Sequence, residues 1–267
     1  MARILIIAGS DSGGGAGIQA DIKTVTLLGG HAMTAITALT AQNTLGVAAV
    51  HAVPVEMVIA QIDAVVSDIG VDAIKIGMIG SAEIAEAVAD RLDRPDLAAV
   101  PLVFDPVMIA TSGSRLADEA AIAVFGRLLG RAAVSTPNID ELAALRGLAL
   151  RGAAEIAAAA AHLMAHGSGA ILATGANLSE GILTDMLFSG GVSPRSWEAQ
   201  RIDTIHDHGT GCTLASAIAT GLGQGMALPE AIDRARGFVR AALLDAPALG
   251  KGHGPMGFRF LLADERA

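Results

Sequence analysis

The sequence predicts an α/β fold in which helices cover both faces of a mostly parallel sheet, giving a three-layer α/β/α sandwich. Short apolar runs alternate with stretches of helical periodicity along the whole chain, and this alternation is typical of doubly wound sheets. The runs are apolar at successive positions, as in parallel strands that are buried on both faces. With 267 residues, of which 52% are hydrophobic and 17% charged, the chain is long enough for a sizeable core. Because no linker or repeat interrupts the pattern, residues 1–267 are predicted to form a single domain.

The predicted strands are the short apolar runs. The first of them is too short for a secretory signal and leads directly into a glycine-rich loop, which favours a buried strand. The later runs are spaced widely enough to leave room for a helix between most of them. In chain order the predicted strands are residues 4–8, 33–37, 73–76, 102–105, 133–136, 170–174 and 181–187.

The predicted helices lie between and after these strands. Pro229 opens the last helix, at a position that favours proline because a first-turn N–H has no partner inside the helix. Glycines mark the ends of several others. In chain order the predicted helices are residues 16–28, 55–69, 82–92, 118–129, 153–166, 213–225 and 229–244.

The composition narrows the class of partner. The formal net charge of −9 argues against a nucleic-acid or membrane surface, which would need a basic patch. No apolar run reaches the roughly 18–20 residues that span a bilayer. The single cysteine leaves no intrachain disulfide and fits a reducing cytoplasm. We therefore expect a cytoplasmic protein with a small-molecule partner and no partner of nucleic acid or membrane.

Residues 209–215, Gly-Thr-Gly-Cys-Thr-Leu-Ala, carry the most informative local pattern. Two glycines bracket a threonine directly before an apolar run, which predicts a tight turn that opens a helix. The unpaired N–H groups and the dipole at such a helix start stabilise negative charge. Gly209, Thr210, Gly211 and Cys212 are therefore candidates for binding an anion such as a phosphoryl group in transfer. Cys212 is either a small buried residue or a thiolate favoured by the helix start, and we favour a functional role.

The loops that follow the predicted strands carry most of the unusual polar residues. In parallel sheets these loops meet at one edge, where ligands bind. The glycine-rich run 9–21 matches neither a Walker loop nor the dinucleotide fingerprint, so it indicates either close approach of backbone to a ligand or a flexible connection. Asp21 could serve a ligand or the dipole of a helix start. Gln42 could recognise the edge of a heterocycle and Met78 could line an apolar slot, although an ordinary loop amide and a core methionine are the simpler interpretations.

Two further loops carry carboxylates suited to a metal ion. Asp105 ends a predicted strand and precedes a proline, a position from which it could hold Mg²⁺ directly or through water. Asn138 and Glu141 have capping-box spacing, and Glu141 could also supply a second carboxylate to the metal. The run 206–208, His-Asp-His, invites a metal or triad interpretation. We disfavour it because adjacent residues rarely converge on one ion.

Taken together, these motifs resemble the hydroxymethylpyrimidine/phosphomethylpyrimidine kinase family, within the ribokinase-like fold. The resemblance extends from residue 4 to residue 255, nearly the whole chain. One such motif would be weak, but six in order are specific, and a seventh segment near the C-terminus completes the set. The matching segments are residues 8–23, 36–44, 75–78, 105–108, 136–138 with Glu141, 208–214 and 250–255.

The resemblance implies an ATP-dependent kinase of thiamine biosynthesis, with Mg²⁺ as cofactor and a homodimer as its assembly. The γ-phosphoryl group of ATP would pass to the hydroxymethyl group of 4-amino-5-hydroxymethyl-2-methylpyrimidine, and a second transfer onto the monophosphate would give the diphosphate. Phosphoryl transfer depends mainly on positioning and electrostatics. The wider ribokinase-like fold usually has an aspartate base where this chain has Cys212, so a thiolate base is one implied role and a thiol packed on the substrate is the other. We lean towards the base.

The resemblance also assigns residues to each ligand. The anion hole would be formed by residues 209–212, and Mg²⁺ would be held by Asp105 and Glu141. The nucleotide would lie beside Asn138, Thr174 and Gly175. The pyrimidine would contact Gly9, Ala16, Asp21, Gln42, Met78 and Val107.

Two departures from the family pattern concern cationic contacts. Members commonly have Lys-Gly-Gly where this chain has Thr174-Gly-Ala, and a lysine where it has Ile205. Both changes weaken the expectation of normal nucleotide affinity and of the second phosphorylation. Two alternatives therefore stay open: a pyridoxal or pyridoxine kinase, and a pyrimidine-binding sensor without catalysis.

Overall fold

Strands and helices alternate through the computed structural model, which describes residues 1–109, 113, 116 and 119–261. The strands are β1 Arg3–Asp11, β2 His31–Asn43, β3 Gly46–Ala52, β4 Ala73–Ile76, β5 Leu102–Phe104, β6 Val134–Ser135, β7 Ala170–Ser179, β8 Ile182–Ser189 and β9 Arg195–Gln200. The helices are α1 Gly17–Leu27, α2 Val55–Asp68, α3 Ala82–Leu92, α4 Glu119–Arg131, α5 Ile139–Arg146, α6 Ala153–Ala165, α7 Thr210–Gly223 and α8 Leu228–Leu244, with a 3₁₀ turn at Arg259–Leu261. Asp118, the first residue of a predicted helix, lies outside the described residues.

The strands form one sheet of nine in the order β3-β2-β1-β4-β5-β6-β7-β8-β9. The pairs from β2 through β7 are parallel, whereas β3, β8 and β9 are antiparallel to their neighbours. The prediction of a mostly parallel sheet is thus confirmed. The prediction that residues 181–187 form a parallel strand is wrong, because only two residues connect β7 to β8 and a parallel crossover needs a dozen or more.

Helices cover both faces of the sheet, as predicted. Successive side chains of β1 point to opposite faces: Leu5 and Ile7 enter a core beneath α2, α3, α4 and α6, while Ile4 and Ile6 enter a second core beneath α1, α7 and α8. The central strands are therefore apolar at every position because each side packs against a helical layer. This accounts for the three-layer sandwich.

Apart from the 3₁₀ turn, two strands and one α-helix of the described residues were not among the predicted elements. The edge strands β3 and β9 are exposed along most of their length and do not show the apolar runs of the central strands. The short helix α5 follows the capping box predicted at Asn138, whose side chain accepts from the N–H of Glu141 at 2.9 Å. Within the described ranges, no helix is long and apolar enough to cross a membrane.

Candidate active site

The predicted site residues meet in a cavity of ≈ 170 Å³ at the carboxyl edge of the sheet. It lies where β1, β4, β5 and β6 end and where α7 begins. The structure brings to this cavity every predicted site residue except Asp21 and Gly175. Those that line it are Gly9, Ala16, Gln42, Met78, Asp105, Val107, Asn138, Glu141, Thr174, Gly209, Thr210, Gly211 and Cys212.

The turn before α7 has the geometry expected of an anion site. Gly209 precedes the helix with φ 90°, in the left-handed region, and a Cβ at this position would overlap the carbonyl oxygen of Gly15. Only glycine fits here without strain. No side chain caps α7, so the backbone of its first turn, at Thr210 and Gly211, borders the cavity directly. A negative charge placed there would meet N–H groups and the positive end of the helix.

Asp105 and Glu141 form a pair of buried carboxyl groups in the same cavity. Burial raises the pKa of Asp105 to about 6, and burial together with the charge of Asp105 raises the pKa of Glu141 to about 8. The Oδ1 atom of Asp105 lies 3.4 Å from the hydroxyl of Thr136, whereas its Oδ2 atom is buried without a hydrogen-bond partner among the described residues. Glu141 already accepts from the N–H of Asn138 at 3.0 Å.

This carboxyl pair fits a magnesium ion. A divalent cation would bind the Oδ2 atom of Asp105. Its charge would also offset the repulsion between the two carboxylates, which together with burial raises the pKa of Glu141. Among the residues that the structure describes, no group of three His, Cys, Asp or Glu side chains could enclose a metal. Mg²⁺ is commonly held by one or two carboxylates, with water and substrate phosphates completing its coordination.

Cys212 is not poised as a thiolate. Burial raises the pKa of its thiol to about 12, the charges of Asp21 and Asp105 act in the same direction, and Lys75 offsets only part of the effect. A protonated thiol in the free site favours the packing role over the thiolate base, and the choice between the two roles stays a prediction. By its surface exposure Cys212 is half-buried, and it borders the cavity with this thiol.

Asp21 lies beneath the cavity rather than in it. Its carboxylate is fully buried and accepts from Nζ of Lys75 at 2.9 and 3.0 Å and from the hydroxyl of Ser216 at 2.7 Å. Burial would lower the pKa of Lys75, but the charge of Asp21 and its hydrogen bond outweigh burial and raise it. The structure therefore does not support substrate contact by Asp21, which instead joins α1, β4 and α7. A lysine inside an apolar strand was the signal for such a partner.

A larger groove of ≈ 1240 Å³ adjoins the cavity and contains Gly175. The two share Asn138, Thr174, Thr210 and Gly211 as lining residues. The N–H of Gly175 donates to Asp185 at 2.8 Å. The groove is large enough for a nucleotide whose phosphates would end at the start of α7.

A family model described as phosphomethylpyrimidine kinase matches residues 11–257 of this chain. The chain belongs to this family. The predicted resemblance is thereby confirmed, and membership makes the chain a kinase. It also favours the pyrimidine kinase interpretation over the pyridoxal kinase and the sensor without catalysis.

Curated relatives agree over nearly the whole chain. The chain is 48% identical over 256 residues to the hydroxymethylpyrimidine/phosphomethylpyrimidine kinase of Rhizobium meliloti, covering 94% of this chain and 95% of that protein. It is 45% identical to the protein of the same name from Streptomyces coelicolor, covering 98% and 96%. A third relative, the thiamine biosynthesis bifunctional protein ThiED of Geobacter sulfurreducens, is 47% identical over 264 residues. That match covers 98% of this chain but only 53% of the bifunctional protein.

Solved structures confirm the ribokinase-like fold. The structure matches pyridoxal kinase of Bacillus subtilis, solved as an ADP complex, with TM-score 0.87 and 31% identity, covering 98% of this chain and 99% of that one. It matches phosphomethylpyrimidine kinase of Clostridium difficile with TM-score 0.79 and 34% identity, covering 91% and 99%.

Proposed function

We propose that this family member transfers the γ-phosphoryl group of ATP to 4-amino-5-hydroxymethyl-2-methylpyrimidine, and then a second phosphoryl group to the resulting monophosphate, for thiamine biosynthesis. The observation that carries the proposal is the composition of the small cavity. It combines an amide suited to an aminopyrimidine edge, at Gln42, with a helix start suited to a phosphoryl group and a carboxyl pair suited to Mg²⁺. The adjoining groove supplies the space for ATP.

The residues of the cavity divide the work of transfer. Gln42, Met78 and Val107 would orient the ring so that its hydroxymethyl oxygen faces the start of α7. The backbone of Gly209–Cys212 would stabilise the charge of the phosphoryl group as the bond to the β-phosphate breaks and the bond to the substrate oxygen forms. Because such transition states are loose, the hydroxyl proton can leave without a strong base, which is consistent with a protonated Cys212.

Asp105 and Glu141 would hold Mg²⁺, which when bound would neutralise charge on the phosphates of ATP. Asn138, Thr174 and Gly175 would border the nucleotide. We further propose one kinase domain spanning residues 1–267, a homodimer and a cytoplasmic location. The single cysteine supports a reducing compartment.

The experiment that tests this function is ADP release with Mg·ATP and three parallel substrates: the aminopyrimidine alcohol, its monophosphate and pyridoxal. Pyridoxal is included because the similar solved structures include a pyridoxal kinase at TM-score 0.87. Turnover on both pyrimidines is expected. Turnover on the alcohol alone would restrict the chain to the first step and point to the cationic contacts absent at Thr174 and Ile205. Turnover on pyridoxal alone would overturn the proposal.

A further inference from the structure

His208 joins two loops of the cavity through a single ring nitrogen. Its Nε2 atom lies 3.0 Å from Nε2 of Gln42 and 3.1 Å from Oδ2 of Asp11. The residue is 8% exposed and stands directly before Gly209, at the start of the anion-hole turn. One buried side chain therefore connects the ends of β1 and β2 with the turn that precedes α7.

The ionisation of Asp11 decides what this nitrogen does. Burial would raise the pKa of Asp11, but the contact with His208 and the N–H groups of Ala16 and Gly13 outweigh burial, so the pKa is lowered. Those two N–H groups and that of Gly15 donate to the carboxylate at 2.7 to 3.0 Å. An ionised carboxylate can only accept hydrogen bonds. The Nε2 atom of His208 therefore carries a hydrogen and donates a hydrogen bond to the Asp11 carboxylate.

That proton also orients the amide of Gln42. A half-turn of a glutamine amide exchanges its oxygen and nitrogen without changing its shape, so hydrogen bonding decides between the two orientations. With the oxygen towards His208, the amide accepts from Nε2–H, a single hydrogen that it shares with Asp11. With the nitrogen there, two donors would face each other 3.0 Å apart. The first arrangement is the satisfied one.

Thr40 completes the orientation on the other side of the amide. Its hydroxyl donates to the carbonyl oxygen of Ser10 at 2.9 Å and lies 3.2 Å from Oε1 of Gln42, a position that the amide nitrogen takes once the oxygen is turned towards His208. A hydroxyl that donates to Ser10 can still accept from an amide N–H. One N–H of Gln42 then binds Thr40, and the second is available to a ligand in the cavity that Gln42 lines.

We propose that His208 is a positioning residue that sets ring specificity by presenting Gln42 as a hydrogen-bond donor to a ring nitrogen of the substrate. The inference rests on the proposed function, since the aminopyrimidine supplies an unprotonated ring nitrogen beside its amino group. A site built to pair with such an atom rejects a ring that lacks it, because its own polar group is then left unpaired. His208 acts through Gln42 and does not itself touch the reacting atoms.

The test compares two ligands that differ only in the ring. Calorimetry, without nucleotide, measures the Kd of the aminopyrimidine alcohol and of the benzene analogue with the same three substituents. In His208→Phe, which keeps a ring but removes the donor, we expect the pyrimidine to bind about tenfold more weakly and the benzene analogue to change by less than about twofold. His208→Gln, which restores an N–H near Nε2, should recover part of the discrimination. His31→Phe, exposed at the opposite end of β2, is the matched control and should bind both ligands as the unmodified protein does.

A double-mutant cycle tests whether His208 acts through Gln42. If it does, His208→Phe should add little to the loss in Gln42→Met, because both variants remove the same interaction. Additive losses, or equal weakening of both ligands by His208→Phe, would overturn the inference. Should His208→Phe not fold, Thr40→Val tests the same amide orientation from its other side: a loss confined to the pyrimidine supports the inference and an equal loss overturns it. If the unmodified protein does not bind the pyrimidine at all, the proposed function fails and this inference fails with it.

Discussion

Among single residues, Cys212 has the pKa that most affects the mechanism. Its pKa of about 12 results from burial beside the acidic groups Asp21 and Asp105, against which the cation of Lys75 is insufficient. A group with this pKa is almost wholly protonated at neutral pH. In the free site this favours a packing role for Cys212 over the base role that the family resemblance implied. The thiol instead shapes the cavity beside the anion hole.

Alkylation of Cys212 measures this protonation directly, because the chain has no other cysteine. Only the thiolate reacts, and a raised pKa means that less thiolate is present at pH 8 than in a free cysteine, whose pKa is about 8.5. Iodoacetamide labelling, followed by intact mass, should therefore be slow at pH 8 and keep rising by about tenfold per pH unit beyond pH 9. Free cysteine is the control and should level off near pH 9. A protein rate that levels off below pH 8.5 would restore the thiolate base.

Lys75 shows what the sequence alone could and could not predict at this scale. Its position in an apolar strand is a signal of a buried charge that needs a partner, a signal that the sequence analysis did not use. The partner could not be identified from local pattern, since Asp21 lies 54 positions away on α1 and is itself held by Ser216 of α7. The family resemblance assigned Asp21 to the substrate, whereas its contacts assign it to Lys75. Charge pairing across layers is decided by the packed fold and not by local pattern.

At the scale of elements, the segment 249–257, here called the C-terminal strap, ties the cavity loops together. Thr44, two residues after Gln42, accepts from the N–H groups of Lys251 and Gly252 at 3.2 and 3.3 Å. The N–H of His208 donates to the carbonyl of Gly254 at 3.2 Å. The strap therefore holds the Gln42 loop and the His208 turn to one common segment.

Gly252→Ala should loosen this strap. The added Cβ would overlap the carbonyl oxygen of Thr44, a backbone atom that cannot move aside cheaply, so we expect a loss of about 1–3 kcal/mol in unfolding free energy. The KM for the pyrimidine should rise as the Gln42 loop shifts. Urea denaturation and initial rates measure the two effects.

Gly126→Ala is the matched control. Among the described residues, no atom outside the neighbouring backbone of its own helix lies within 4 Å of the added Cβ, and helix propensity predicts a gain of about 0.5–1 kcal/mol. Equal stability in both variants would contradict a close-packed strap.

Buried strands were predicted correctly from the sequence, whereas exposed strands were missed. Strands β1 and β4 were found because both faces are apolar, and Ile4 through Ile7 are fully buried. The edge strands β3 and β9 were missed because exposed positions accept almost any residue, so no periodicity marks them. The antiparallel direction of β8 depended on the length of a turn, which hydrophobic pattern does not reveal.

At the scale of the whole molecule, the cavity could be assembled from sequence because the carboxyl ends of parallel strands meet at one edge. That rule brought Gly9, Met78 and Asp105 together although they lie far apart in the chain. It could not supply the contacts of Asp11 with His208, which span 197 positions and depend on the path of the connecting loops. The position of a residue at the carboxyl edge of the sheet therefore predicts that it lines the cavity. Only the structure shows which of these residues are in contact with one another.

The carboxyl pair links the site to the stability of the entire protein. The pKa of Asp105 rises from 3.8 to about 6 on folding and that of Glu141 from 4.5 to about 8. The folded state thus binds more protons than the unfolded state between these values, so the unfolding free energy should fall as pH rises from about 4 to about 8. At neutral pH the metal-free site therefore holds an ionised Asp105 beside a mostly protonated Glu141, and ionising both groups would cost stability that Mg²⁺ would offset.

Asp105→Asn should consequently give a more stable and less active protein. Removing a buried charge with an unpartnered oxygen should raise the unfolding free energy at pH 7.5 by about 1–3 kcal/mol, and flatten the decline between pH 5.5 and 7.5. Turnover should fall by about 10²–10³-fold, since a charge that would hold the metal is gone. Urea denaturation in chelator at both pH values, and ADP release, measure these effects.

Asp90→Asn is the control. It removes an exposed carboxylate paired with Arg127 and should change the unfolding free energy by no more than about 0.5 kcal/mol. If Asp105→Asn is instead less stable at pH 7.5, the carboxylate is stabilised by partners in the folded protein, and the two-carboxylate metal site loses its electrostatic basis.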